Sequence, residues 1–161
     1  MLMRILPIPE DFLTRVRRNG VDDQGQPVKR FFSQQGGEPC RDVLRRARAG
    51  EEVILASFCP FSQPGPFKEF GPIYVLANPS HEPVTRDALP LPRGNAEDYF
   101  GAQFVLRAYN QKQEIIAAAL VTAEGATAKA EQFLQTPEVA FVHARFPTFG
   151  CFACRLELVA S

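Results

Sequence analysis

The sequence predicts a single α+β domain, residues 1–161, built on a largely antiparallel sheet of roughly six strands with two or three helices. Three observations carry this expectation. Apolar runs with strand character outnumber runs with helical spacing. Two pairs of strand-like runs are separated only by short turn-forming tetrapeptides, Asn110-Gln111-Lys112-Gln113 and Pro147-Thr148-Phe149-Gly150, as in hairpins. Finally, 161 residues with 45% hydrophobic composition can fill one core but not two comfortable ones.

The elements follow in order. Residues 4–8 alternate apolar and polar side chains like a short edge strand. Pro9-Glu10-Asp11 then opens a helix reaching about Asn19, because proline suits a first turn and acids suit the positive end of the helix dipole. Arg15, Arg17 and Arg18 lie towards its negative end, Gly20 stops it, and Phe12, Leu13 and Val16 form its buried stripe. Residues 21–38 are polar and glycine-rich, an ordered loop with one short strand at 28–32. Residues 39–49 read as a second short helix, with Val43, Leu44 and Ala47 inward and Gly50 at its end. In that reading Arg45, Arg46 and Arg48 form a solvated basic face.

Residues 51–58 and 71–77 are apolar strands. Between them runs a proline-rich loop carrying Phe58, Phe61, Phe67 and Phe70, and a second proline-rich connection covers 78–95. A hairpin of residues 103–109 and 114–122 follows, then a helix over 126–135 with Ala130, Phe133 and Leu134 at helical spacing. Residues 139–146 and 151–159 form the last hairpin. If Phe146 pairs with Cys151, simple alternation sets His143 opposite Cys154, and a one-residue bulge near Gly150-Cys151 would change that.

Composition excludes more than it assigns. Formal charge is zero and no nucleic-acid motif is present, so DNA or RNA binding is not expected. No apolar run approaches the ~18 residues of a membrane helix. Pro7 and Pro9 break the N-terminal apolar stretch, which leads us to expect a cytoplasmic protein whose four cysteines are thiols. Fourteen of the eighteen basic residues are arginine, and arginine favours planar contact with carboxylate or phosphate; a small anionic ligand is the corresponding expectation. No cofactor is indicated.

Several segments in fixed order carry a resemblance: Pro39-Cys40-Arg41, Gly50-Glu51-Glu52-Val53, Gly71-Pro72-Ile73-Tyr74-Val75, Leu106-Arg107-Ala108-Tyr109, and Val139-Ala140-Phe141-Val142-His143-Ala144 followed by Gly150-Cys151-Phe152. Over about residues 38–155 the chain resembles the bacterial domain of unknown function family number 1203. That family brings no activity with it. Its motif positions correspond here to Cys40, Arg41, Arg107, Tyr109, His143 and Cys151, whereas Cys59, Cys154 and His81 lie outside them.

These residues define the expected site, a small-molecule pocket near Cys40, Arg41, Arg107, His143 and Cys151. In its sharpest form Cys40, activated at a helix start beside Arg41, is a nucleophile with His143 as base. Arg41, Arg107, Tyr109 and Cys151 would bind the ligand. A second form gathers Cys40, Cys151 and His143 around a metal. The alternative is a non-catalytic interaction or homodimerisation module that uses the aromatic loop 58–70 and exposed strand edges.

Overall fold

The computed structural model describes residues 3–159. In chain order the elements are β1 (Met3–Leu6), α1 (Glu10–Thr14, continued by a π-helical turn over Arg15–Asn19), β2 (Lys29–Phe32), β3 (Pro39–Cys40), β4 (Arg45–Arg46), β5 (Glu52–Phe58), β6 (Gly71–Leu76), β7 (Gln103–Tyr109), β8 (Ile115–Thr122), α2 (Ala123–Gln135), β9 (Phe141–Arg145) and β10 (Phe152–Leu158). The α+β class stands, but the single sheet is replaced by two of five strands each, ordered β1-β10-β9-β7-β8 and β2-β5-β6-β3-β4. All pairings are antiparallel except that of β3 with β6.

The local expectations that hold are those set by periodicity and turn chemistry. Phe12, Leu13 and Val16 are buried, and Gly20 ends the first helix with φ +65°. Thr122 caps α2 through its side chain, which accepts from the Gly125 amide, and Ala126, Ala130, Phe133 and Leu134 make the buried stripe. In the β7–β8 turn Gln113 takes a left-handed φ of +61°, and its amide donates to the Asn110 carbonyl.

The helix expected over residues 39–49 is absent. Cys40 is extended, pairs with Tyr74 on one side and Arg45 on the other, and is followed by a tight turn in which Leu44 has φ +52°. The Asp42 carboxylate explains part of this outcome. It accepts from the Leu76 amide and pairs with Arg17 Nη2 at 2.8 Å, so tertiary partners hold a group that could have capped a helix. Leu44 and Ala47 are nonetheless buried as their spacing predicts, while Val43 is half-buried.

One face of the first sheet, including Phe104, Leu106, Val142 and Leu156, packs with α2 in the larger core. A second core joins Phe152 of that sheet to Ile54, Ala56, Ile73 and Val75 of the other sheet and to α1. The last hairpin does contain a bulge. Phe146 pairs with Cys151, Phe152 lies opposite Arg145, and Cys154 lies opposite Ala144, leaving Ala153 as the extra residue. Past this point the alternation is inverted, so Arg155, and not Cys154, faces His143. The bulge carbonyls are taken up by distant side chains: Arg41 Nε donates to Phe152 O at 2.8 Å, and the buried Tyr99 hydroxyl donates to Ala153 O at 2.6 Å.

Candidate functional site

The expected constellation divides into three places. The first is a row across the first sheet. Arg107 of β7 and Arg155 of β10 flank His143 of β9 in direct register, so the three side chains share one face. His143 is fully buried, and rings of Phe61, Tyr109, Phe141 and Phe152 surround it with centroids 4.8–5.3 Å away. Among the described residues no protein group hydrogen-bonds either ring nitrogen. Burial, followed by the charges of Arg145, Arg155 and Arg107, pushes its pKa well below the ordinary histidine value. The ring is therefore neutral near pH 7.

Tyr109 is also fully buried and stacks on Phe141, so the ligand contact expected of it is closed off by its own packing. Arg107 lies 3.6 Å from the Glu69 carboxylate, and Arg145 is paired with the same group. The aromatic loop is the lid of this row. Phe58 and Phe61 are buried, whereas Phe67 and Phe70 are exposed. The Gln113 side chain pins the loop by accepting from the Ser62 and Gln63 amides and donating to Ser62 Oγ. Gln113→Ala should lower stability by about 1–2 kcal/mol through these lost bonds and speed amide exchange at Ser62 and Gln63. Unchanged exchange there would show that the pin is idle.

Cys40 occupies the second place. Its thiol is fully buried among Ala47, Val53 and Leu76, and its hydrogen-bond acceptor is the Glu38 carbonyl at 3.4 Å. Burial first, and the nearby Asp42 carboxylate second, push its pKa up to about 12. A helix start would have lowered it, but the helix is not there. The Cys40 thiol bonds to the Glu38 carbonyl and neither His143 ring nitrogen has a partner among the described residues, so the two are not hydrogen-bonded as the nucleophile and base of the sharpest reading would be. The metal alternative fares the same way, since among the described residues no three His, Cys, Asp or Glu side chains gather for an ion.

Arg41 and Cys151 do meet, in a cleft between the sheets of about 740 Å3 also lined by Arg46, Tyr74, Phe146 and Phe149. Arg41 is 3% exposed, its Nε and Nη1 donate to the Phe152 and Pro39 carbonyls, and its guanidinium lies 5.0 Å from the Phe146 ring centre. Arg46 lies over the same ring and donates to the Asp98, Gly37 and Tyr99 carbonyls. Neither forms an ion pair among the described residues, although Arg45 and Arg48 do, with Glu51, Glu82 and Glu97. The basic run is thus not one solvated face. Arg46 was missed because only the replaced helix separates it from its neighbours, and no local signal marks it.

A second cleft of about 590 Å3 runs beside α1 and the aromatic loop, lined in part by Arg15, Cys59, Phe61 and Arg155. Its two arginines are paired internally, Arg15 with Asp23 and Arg155 with Glu157. In the first cleft Arg41 and Arg46 have no ion-pair partner among the described residues, and Glu38, which also lines it, accepts from Ser33 Oγ. No helix among the described residues is long and apolar enough to cross a membrane.

Comparison with known proteins adds the family. The model of the family described as "Protein of unknown function (DUF1203)" matches residues 37–157, most of the chain, and the protein belongs to that family. No curated protein and no solved structure matches the chain.

Proposed function

We propose that this domain binds a small anionic molecule, a carboxylate with an apolar body, in the cleft lined by Arg41, Arg46 and Cys151. The observation that carries the reading is the Arg41 guanidinium, which is withdrawn from water with no carboxylate at ion-pair distance among the described residues. Burying a charge is costly unless it is paired, and backbone carbonyls supply only partial negative charge. Two of its five N–H donors are used by those carbonyls, which leaves a planar group able to receive a carboxylate. The walls of Leu55, Tyr74, Phe146 and Phe149 suit an apolar or aromatic body, and the volume of about 740 Å3 is in the range of ordinary ligand sites. Cys151 is half-buried at the rim and would contact the ligand without needing to react. The reading keeps Arg41 and Cys151 from the expected site and assigns no catalytic role to Cys40 or His143.

Thiol labelling tests this directly. With iodoacetamide at pH 8, the half-buried Cys59 and Cys151 should react while the buried Cys40 and Cys154 do not, since burial pushes both of the latter up to about 12. A panel of aromatic and branched carboxylates is then added, each beside its neutral amide. The proposal requires at least one carboxylate to slow labelling of Cys151 several-fold while leaving Cys59 unchanged, and its amide to have no effect. Protection by amide and acid alike, or by none of the panel, would overturn it.

A further inference from the structure

The two sheets have four edge strands, and three of them carry protection against pairing with another chain. On β1 the Ile5 amide is occupied by the Arg86 carbonyl. Strand β2 carries Lys29 and Arg30, and β4 has only two residues. The fourth is β8, eight residues long and reading Ile-Ile-Ala-Ala-Ala-Leu-Val-Thr, with neither charge nor proline. It pairs with β7 on one side and ends the sheet on the other. Its only irregularity is a bulge near its start, where Ala117 faces Ala108 but Ile115 already faces Tyr109.

Beyond the bulge, Ala117, Ala119 and Val121 point to the core beneath α2, while Ala118 and Leu120 point outwards, with Leu120 62% exposed. We propose that this edge pairs antiparallel with β8 of a second copy, joining two sheets into one of ten strands. The occupant follows from the strand itself. A two-fold axis through Ala119 sets Ala118 of each copy opposite Leu120 of the other, so that each large side chain fills the space over a small one. No charge along 115–122 opposes the juxtaposition of identical strands. The five residues 117–121, which this axis pairs clear of the bulge, supply a seam ~17 Å long in which the outward backbone groups of Ala118 and Leu120 make about four hydrogen bonds. A contact made through one strand edge is smaller than a standard stable interface of about 800 Å2 per partner, so the dimer is concentration-dependent.

Sedimentation velocity across a concentration series, with circular dichroism as the check on folding, tests this. The parent protein should shift from monomer to dimer as concentration rises. Leu120→Lys and Ala118→Lys, both at outward positions, should each raise the dimer dissociation constant at least tenfold, whereas Phe67→Ser in the aromatic loop should leave it unchanged. A parent that is monomeric throughout, or a dimer that survives both lysines, overturns the proposal. A dimer lost only in Phe67→Ser does so too, and moves the contact to the loop.

Discussion

Arg41→Ala is expected to destabilise the protein by about 3 kcal/mol, because each buried acceptor left without a donor costs about 1–3 kcal/mol. Two such acceptors depend on this side chain. Arg41 belongs to the segment after β3 in one sheet, and its Nε holds the carbonyl of Phe152 at the bulge of β10 in the other. Its Nη1 holds the Pro39 carbonyl at 2.7 Å, so one planar group fixes the β3 hairpin and ties it across to the bulge. The stem and guanidinium also cover the Phe146 ring, a contact of about 0.5–1 kcal/mol or more when desolvated. Relief from burying an unpaired cation offsets part of the loss.

Two companion variants separate the contributions. Arg41→Lys retains charge but supplies a point donor that cannot span both carbonyls, and should cost about 1–2 kcal/mol. Arg41→Met keeps the stem and removes every donor, so it should fall near the alanine variant. Urea unfolding measures all three. An Arg41→Met protein as stable as the parent would show that the bulge does not rely on arginine, and would leave ligand binding as the reason for its burial.

How the sequence encodes the fold is clear from which elements were legible. The β7–β8 hairpin, the last hairpin and α2 follow from period and turn chemistry confined to a few neighbouring residues, and each formed close to its expected bounds. The division into two sheets was not legible, because it depends on pairings such as Lys29 with Leu55 and Cys40 with Tyr74, between segments whose local patterns do not name a partner. Residues 39–49 failed for a related reason. Their helical spacing is real, but Asp42 finds a stronger partner in Arg17, and tertiary contacts override a weak local preference.

The candidate site was legible in its members more than in their arrangement. Arg41 and Cys151 meet although 110 positions apart, and neither their spacing nor their types could have said so. Register decided the rest. A single extra residue, Ala153, sends Cys154 into the core and sets Arg155 beside His143. A bulge near Gly150-Cys151 could be anticipated from the glycine, but its side-chain anchors, Arg41 and Tyr99, lie far away in sequence.

His143 should make the fold sensitive to mild acid. Its native pKa is lowered, chiefly by burial and then by Arg145, Arg155 and Arg107, so between its native and unfolded values the unfolded chain binds the proton and the native chain does not. Stability therefore rises with pH across this window. The contribution is fully present above the unfolded value of about 6.5 and is lost as pH falls below it, with a ceiling of about 2 kcal/mol between pH 7 and pH 5 set by the unfolded histidine. In His143→Leu the aromatic cage is kept, the titrating group is gone, and this difference should vanish. His81 is exposed and present in both proteins, as are the carboxylates, including Glu51, which Arg45 holds below the usual range, and Asp42, which burial raises. Their contributions cancel when the two unfolding curves are subtracted. Parallel pH profiles for the parent and His143→Leu would mean that His143 is protonated as readily in the native state as in the unfolded chain, which its burial among four aromatic rings and three arginines opposes.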